Sequence, residues 1–188
     1  AGPLKKLGSP VLIVGSGPAG LCLAIELGMR GVPCVLIDRN PGISNVLKAN
    51  ATQARTMEHF RRMGLADEIR DLGLPRDYPT DVSYYTRFST HELARLRLPP
   101  AKDVKELALA STGSWSTPEL PHRCNQTFVE LVLRRHAEKY PGNTLIYGWK
   151  LERFEESQAG VTAFAVDSTS GATMEVSCQF LVGCDGAR

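Results

Sequence analysis

The apolar residues of the chain occur either in continuous runs or with the spacing of a helix face. Continuous runs are typical of strands buried on both faces of a parallel sheet, and they lie at 11–14, 33–37 and 180–183, with a shorter strand predicted at 144–147. Helical spacing predicts helices at 18–30, 55–63, 66–72 and 127–139, and a glycine or a Pro-Gly pair lies close behind each. Strands that alternate with helices predict an α/β fold.

Period-two alternation is found in two other regions. Residues 81–88 and 92–98 alternate on either side of Ser-Thr-His, which predicts a β-hairpin with one face in water. A three-stranded meander is predicted at 151–155, 161–167 and 173–178. We expect a polar lead-in at 1–9 and loops at 39–54 and 99–121.

The helix predicted at 127–139 has a start signal of its own. Thr127 and Glu130 have the spacing of a capping box, in which the two side chains bond each other's backbone N–H groups. Phe128, Leu131 and Val132 are expected to form its buried face.

A glycine motif follows the first apolar run. The chain reads Gly15-Ser-Gly17-Pro-Ala-Gly20, and the second apolar run ends at Asp38. Strand, glycine turn, helix, strand and acid are the parts of a dinucleotide-binding βαβ unit. Gly15 permits the tight turn, Gly17 lets backbone approach a pyrophosphate, and Gly20 lets the helix pack closely on the strand.

The helix start and the acid complete this unit. Pro18 suits the first helical turn, and Pro18 and Ala19 open a helix whose N-terminal N–H groups favour phosphate. Asp38 is placed to accept hydrogen bonds from ribose hydroxyls. NAD and FAD both fit this unit, whereas a 2′-phosphate would meet the negative charge of Asp38.

Composition excludes several classes of partner. The chain has 188 residues and a net charge of +2, so nothing indicates a nucleic-acid or anionic membrane surface. Five cysteines without a C-x-x-C motif favour free thiols in a reducing, cytoplasmic compartment. The glycine motif and Glu26 interrupt the apolar stretch 11–29, so we expect no targeting or membrane segment. The four histidines lack ligand spacing, so no metal site is expected.

Taken in order, several motifs resemble those of the FAD-dependent aromatic hydroxylases, the group A flavoprotein monooxygenases related to para-hydroxybenzoate hydroxylase and phenol hydroxylase. They are Gly15-x-Gly17-x-x-Gly20, Asp38-Arg39, the segment 53–65 (Gln-Ala-Arg-Thr-Met-Glu leading into Arg-Met-Gly-Leu), Arg123-Cys-Asn-Gln126 and Cys184-Asp185-Gly186. The Asp-Gly piece is the most specific, because plain NAD-dependent dehydrogenases lack it.

The resemblance implies cofactor contacts in the first half of the chain. The glycines with Pro18 and Ala19 would hold the FAD pyrophosphate, Asp38 the adenosine ribose, and Arg39 would lie near the adenine. A basic residue in the loop before the next helix would contact the flavin phosphates, and Lys48 and Arg55 are the two candidates. Lysine would offer a point charge where many family members have the fork of an arginine.

The resemblance also implies contacts in the second half. Arg123 and Gln126 would meet the ribityl and phosphate region of FAD. Asp185 would bind the pyrophosphate or ribityl side, and Gly186 would allow close approach. No catalytic residue is assigned. The implied domains are 1–79 and 122–188 for FAD, and 80–121 for part of a substrate-domain sheet.

The implied activity is hydroxylation of a small, phenol-like aromatic substrate. NAD(P)H would reduce FAD, and O₂ would react at the flavin C4a carbon to give a hydroperoxide that transfers one oxygen atom. Family members are at least twice as long and carry a second FAD segment, so we expect an N-terminal part that cannot turn over alone. The alternatives are another FAD oxidoreductase of reductase or halogenase type, or a non-catalytic dinucleotide-binding module.

Overall fold

The computed structural model describes residues 4–42, 49–88, 90–112 and 116–186. Its backbone divides into two compact units, Ala1–Val46 with Val129–Arg188, and Leu47–Phe128. In chain order the elements are β1 (Lys5–Gly8), β2 (Val11–Val14), α1 (Pro18–Met29), β3 (Cys34–Asp38), β4 (Ala51–Thr52), α2 (Ala54–Arg62), α3 (Ala66–Arg70), β5 (Val82–Tyr85), β6 (Glu92–Leu96), a 3₁₀ turn (Ala101–Asp103), α4 (Val104–Ala110), β7 (His122–Arg123), α5 (Gln126–Ala137), β8 (Asn143–Tyr147), β9 (Trp149–Ser157), β10 (Gly160–Asp167), β11 (Thr173–Cys178) and β12 (Phe180–Gly183).

A parallel sheet in the order β12-β2-β3-β8 forms the centre of the first unit. Leu12 and Ile13 are neighbours in β2 and both are completely buried, so both faces of this sheet are covered. α1 contributes buried Leu21 and Ile25. The α/β class and the parallel sheet predicted from the apolar runs are therefore confirmed.

The second sheet of this unit is the predicted meander with one additional strand. β9, β10 and β11 are antiparallel neighbours, and β1 pairs with β11 in parallel. The hydrophobic core lies between the two sheets, where Leu12 and Ile37 pack with Ala163, Met174 and Val176.

The expectation of a polar lead-in at 1–9 is wrong for Lys5–Gly8, which is β1. Leu7 packs against the core between the sheets. Lys6 points the other way and forms an ion pair with Glu175 at 3.5 Å. A strand of this kind is stabilised by pairing with β11, and one apolar residue among polar ones is too weak a sequence pattern to reveal it.

The position of α5 matches the prediction, whereas its cap differs and its buried face matches only in part. α5 begins at Gln126, and the side-chain oxygen of Asn125 accepts a hydrogen bond from the Thr127 N–H at 3.0 Å. Asn125 therefore takes the capping role that was expected of Thr127. Phe128 and Leu131 are about half exposed, at 47% and 50%. Val132 is buried as predicted, together with Val129, Glu130, Leu133 and Ala137.

The second unit holds the predicted helices α2 and α3, with Met57, Phe60 and Ile69 buried. The expected loop at 39–54 contains β4, which pairs antiparallel with β7. The region 99–121 was expected to be rich in loops, and it also contains the helix α4, in which Val104 is buried. With only seven residues, this helix is too short for the spacing of its apolar residues to reveal it in the sequence.

The predicted hairpin is present as β5 and β6, which form a two-stranded antiparallel sheet. Every residue of β6 is exposed, including Leu93 at 64% and Leu96 at 55%. The buried face expected from period-two alternation is therefore uncovered in the described residues. In the described ranges, none of the helices combines the length and the apolar character needed to cross a membrane.

Candidate nucleotide-binding site

The turn after β2 lies directly against the turn after β12. The Gly15 N–H donates to the Ile37 carbonyl at 2.8 Å, and the Cys184 N–H donates to the Val14 carbonyl at 2.7 Å. Gly15 has φ +108°, and a Cβ on it would lie 2.4 Å from the Cys184 carbonyl oxygen and 2.7 Å from the Asp185 nitrogen. Two segments far apart in sequence thus meet backbone to backbone, and only glycine permits this approach.

Gly20 brings α1 close to the same turn. A Cβ on Gly20 would lie 2.0 Å from the Gly15 carbonyl oxygen and 3.3 Å from the Cys184 Cβ. Gly17 is different, because its φ is −68° and a Cβ on it would meet no described atom within 4 Å. The chain itself therefore does not require glycine at 17, and the open space in front of it is available to a ligand.

The N-terminus of α1 faces this open space without a side-chain cap. Pro18 is at the first helical position, and Gly17, the residue before it, makes no side-chain capping hydrogen bond. The first intrahelical bond of the helix runs from the Leu21 N–H to the Gly17 carbonyl at 3.0 Å. The N–H groups of Ala19 and Gly20 precede it, and together with the helix dipole they can bind a phosphate oxygen.

Asp38 is held at the carboxyl end of β3 by three hydrogen bonds. Its Oδ2 accepts from the Ser16 N–H at 2.7 Å and from the Ser16 hydroxyl at 2.8 Å. Its Oδ1 accepts from the Asn40 N–H at 2.8 Å. The glycine motif leaves position 16 variable, so sequence reasoning missed Ser16. A sequence signal could have identified Ser16: a residue with a hydroxyl lies between the first two glycines, and an acid ends the next strand.

The segment after Asp38 is anchored to two other turns. The Arg39 carbonyl accepts from the Ser168 hydroxyl at 3.1 Å, and the Asn40 carbonyl accepts from the Gly148 N–H at 3.0 Å. The Arg39 side chain is exposed. These contacts fix the backbone at Arg39 and leave its guanidinium free to reach a ligand near Asp38.

Tyr147 is the partner of Asp38 in the register of β3 and β8. The Arg134 guanidinium lies 4.1 Å from the centre of its ring. Burial raises the pKa of Tyr147 to about 12, and its hydroxyl has no hydrogen-bond partner among the described residues. The phenol is therefore neutral at physiological pH and forms part of the wall beside Asp38.

The turn after β12 presents Asp185 and Gly186 to solvent. Asp185 is exposed, while Gly186 has φ +92° and a Cβ on it would meet no described atom within 4 Å. Burial, and secondarily the Asp185 carboxylate, raise the pKa of the Cys184 thiol. Cys184 is thus a neutral packing residue at this turn.

The other candidate residues belong to the second unit or lie outside the described residues. Arg55 is in α2, with a side chain 81% exposed and an ion pair to Glu58 at 2.7 Å. Arg123 is in β7 and donates to the Asn50 side chain at 3.1 Å. The Gln126 N–H donates to the Ala49 carbonyl at 2.9 Å. Lys48 lies outside the described residues.

Metal ligation has no support in the described ranges, where no group of three or more His, Cys, Asp or Glu side chains could hold a metal ion. His122 is buried, with 6% of its surface exposed. Its Nε2 lies 3.2 Å from the Leu72 carbonyl oxygen, and desolvation lowers its pKa. His122 is therefore a neutral core residue of the second unit.

Comparison with known proteins identifies the family. The family described as FAD binding domain matches residues 8–188. The chain belongs to this family. It is 32% identical over 179 residues to the FAD-dependent monooxygenase apdD of Emericella nidulans, a match that covers 95% of this chain and 29% of that protein. It is 28% identical to the phenol 2-monooxygenase of Pseudomonas sp. (strain EST1001), with 95% of this chain and 28% of that protein covered.

A solved structure supports the same assignment. The flavin-dependent monooxygenase PieE, in complex with FAD and substrate, superposes with a TM-score of 0.80 at 28% identity, covering 97% of this chain and 31% of that one. The family resemblance expected from the motifs is confirmed. The chain spans about 30% of the length of these relatives.

The residues of the first unit fit the cofactor of this family. FAD contains a pyrophosphate and an adenosine ribose, and the site offers an uncapped helix N-terminus beside Gly17 for the first. For the second, Asp38 keeps acceptor capacity on Oδ1 after its bond to Asn40. The structure therefore brings together Gly15, Gly17, Gly20, Asp38 and Asp185 within one compact unit.

Proposed function

We propose that this chain is the FAD-binding part of an FAD- and NAD(P)H-dependent monooxygenase that hydroxylates a small, phenol-like aromatic substrate with O₂. The observation that carries the proposal is the backbone contact between Gly15 and the Cys184–Asp185 turn, next to the open space at Gly17. The names of the relatives, among them a phenol 2-monooxygenase, support the aromatic substrate. We also propose a cytoplasmic location, because all five cysteines are free thiols.

The bound flavin would supply the redox chemistry, accepting a hydride from NAD(P)H and activating O₂ at its C4a carbon. The chain contributes binding and orientation. The N–H groups at Ala19 and Gly20 hold the pyrophosphate, and Asp38 accepts a hydrogen bond from the adenosine ribose. Arg39 lies beside the adenine.

The remaining proposed contacts come from the second unit and from the end of the first. Arg123 and Gln126 meet the ribityl and phosphate region, and either Lys48 or Arg55 supplies positive charge to the phosphates. Asp185 and Gly186 approach the pyrophosphate or ribityl side. Residues 80–121, with their exposed hairpin, are proposed as part of the substrate domain.

The first experiment tests cofactor binding through Gly17. Gly17→Ala adds a methyl group to the space assigned to the pyrophosphate, and we expect FAD affinity to fall about tenfold or more. The free energy of unfolding without FAD should change by less than about 1 kcal/mol, since φ is already suitable for alanine. Affinity is measured by quenching of flavin fluorescence.

The control for this experiment is Gly8→Ala. A Cβ at Gly8 would have only an ordinary contact of 4.0 Å, to the Ser177 carbonyl oxygen. This variant should bind FAD like the unmodified chain. Equal FAD affinity in the Gly17→Ala variant and the control would contradict the proposed phosphate position.

The second experiment tests whether the 188-residue chain binds FAD but requires a longer protein for hydroxylation. The 188-residue chain should bind FAD but show no phenol-dependent oxidation of NAD(P)H, because it spans about 30% of its relatives. A longer protein containing it should incorporate one atom of isotope-labelled O₂ into a phenolic substrate, as detected by mass spectrometry. Phenol-dependent NAD(P)H oxidation by the chain alone would refute the first expectation, and absence of label from the longer protein would refute the second.

A further inference from the structure

Asp38 is bonded unevenly at its two carboxylate oxygens. Oδ2 accepts two hydrogen bonds, both from Ser16, at 2.7 Å from the backbone nitrogen and 2.8 Å from the hydroxyl oxygen. Oδ1 accepts one, from the Asn40 N–H at 2.8 Å. A carboxylate oxygen offers two lone pairs, so in the described structure Oδ2 is saturated and Oδ1 has one acceptor position left.

The two Ser16 bonds also define the orientation of the carboxylate. They come from the backbone nitrogen and the hydroxyl of one residue in the turn between β2 and α1, and the Asn40 bond comes from the segment that follows Asp38. The carboxylate therefore cannot rotate about its Cβ–Cγ bond without losing at least two charge-assisted hydrogen bonds. Position 16 contributes the side-chain bond only because it carries a hydroxyl.

We propose that Ser16 is a positioning residue that saturates Oδ2 of Asp38 and leaves Oδ1 as the single acceptor for one ribose hydroxyl of the adenosine. The motif predicted that Asp38 receives ribose hydroxyls in general. In our proposal Asp38 accepts a hydrogen bond from only one ribose hydroxyl, because Ser16 occupies both acceptor positions of Oδ2. The inference rests on the proposed function, in which Asp38 meets the adenosine ribose of FAD.

The test uses ADP and its 2′-deoxy and 3′-deoxy analogues as probes of the adenosine subsite, with affinities measured by calorimetry on the 188-residue chain. Removing one of the two hydroxyls should weaken binding about tenfold, which is the loss expected for a hydrogen bond to a charged acceptor. Removing the other should change binding less than about threefold. Equal losses for the two analogues would overturn the single-acceptor assignment.

Ser16→Ala and Ser16→Thr test whether Ser16 causes the difference. In Ser16→Ala a lone pair of Oδ2 becomes available and the carboxylate is less constrained, so the affinities of the two deoxy analogues should converge to within about threefold. Ser16→Thr keeps the hydroxyl and should retain the difference. A purely structural role would lower the affinities of all three probes equally in Ser16→Ala, and that result would refute the proposal.

Asp38→Asn separates this inference from the proposed function. Loss of the charge should weaken ADP binding about tenfold or more if Asp38 meets the ribose. Unchanged ADP affinity in Asp38→Asn would refute the proposed adenosine site itself. Weakened binding in Asp38→Asn, together with an unchanged difference between the analogues in Ser16→Ala, would refute only the role of Ser16.

Discussion

Gly15→Ala is expected to destabilise the first unit strongly, and it tests the contact on which the candidate site depends. Gly15 has φ +108°, a conformation that alanine adopts only with strain. The added Cβ would also lie 2.4 Å from the Cys184 carbonyl oxygen. That atom belongs to the backbone, so no side-chain rotation can relieve the overlap.

The magnitude follows from these two effects. Backbone strain costs about 1–3 kcal/mol, and displacement of a packed backbone segment costs about 1–3 kcal/mol more. We expect a total loss of about 2–6 kcal/mol. For a chain of this size each kcal/mol lowers the melting temperature by about 2–4 °C, so the melting temperature should fall by at least about 4 °C.

Thermal unfolding followed by circular dichroism, without cofactor, measures this change. Gly17→Ala is the matched control, because position 17 has φ −68° and no described atom near its added Cβ. Its melting temperature should stay within about 3 °C of the unmodified chain. A loss below about 1 kcal/mol in Gly15→Ala, or equal losses in the two variants, would refute the assigned contact between the two turns.

Three further predictions concern the rest of the chain. Glu119→Gln removes the charge that faces buried Arg70 at 2.8 Å and should lower the free energy of unfolding by about 3–5 kcal/mol in urea titrations; a loss below about 1 kcal/mol would contradict a buried pair. His122 has a lowered pKa in the folded state, so the unfolded chain binds the extra proton and stability should fall as pH drops below about 6.5. His122→Gln should flatten that part of the stability profile, and an unchanged slope would contradict a neutral buried imidazole. Burial raises the pKa of both Cys22 and Cys34 to about 11, so neither should react with a thiol reagent at pH 8 until urea is added, and rapid labelling of either in the native chain would contradict this.

The βαβ unit could be predicted because its signals are local. Gly15, Gly17, Gly20 and Asp38 lie within one short segment, and each residue type has a steric or charge reason of its own. Continuous apolar runs identified β2, β3 and β12 of the parallel sheet, and β8 was predicted as a shorter strand.

Other elements depend on partners that local spacing does not show. β1 is a strand because β11 pairs with it, and one partly buried leucine beside two lysines does not reveal that pairing. The face of α5 was predicted from the helical spacing of Phe128, Leu131 and Val132, but only Val132 is buried, while the other two are about half exposed. Which side of a helix is buried is decided by the surface it packs on, not by the spacing of its apolar residues alone.

The sequence by itself determined that this chain has a dinucleotide-binding unit and which glycines and acid belong to it. Only the tertiary structure showed that Gly15 and Cys184, 169 positions apart in the chain, meet backbone to backbone, and that Ser16 orients Asp38. The physical reason is the distance along the chain over which each effect acts. Glycine turns and apolar periodicity act within a few residues. Close backbone approach and hydrogen-bond partners depend instead on strand order, which brings β12 next to β2.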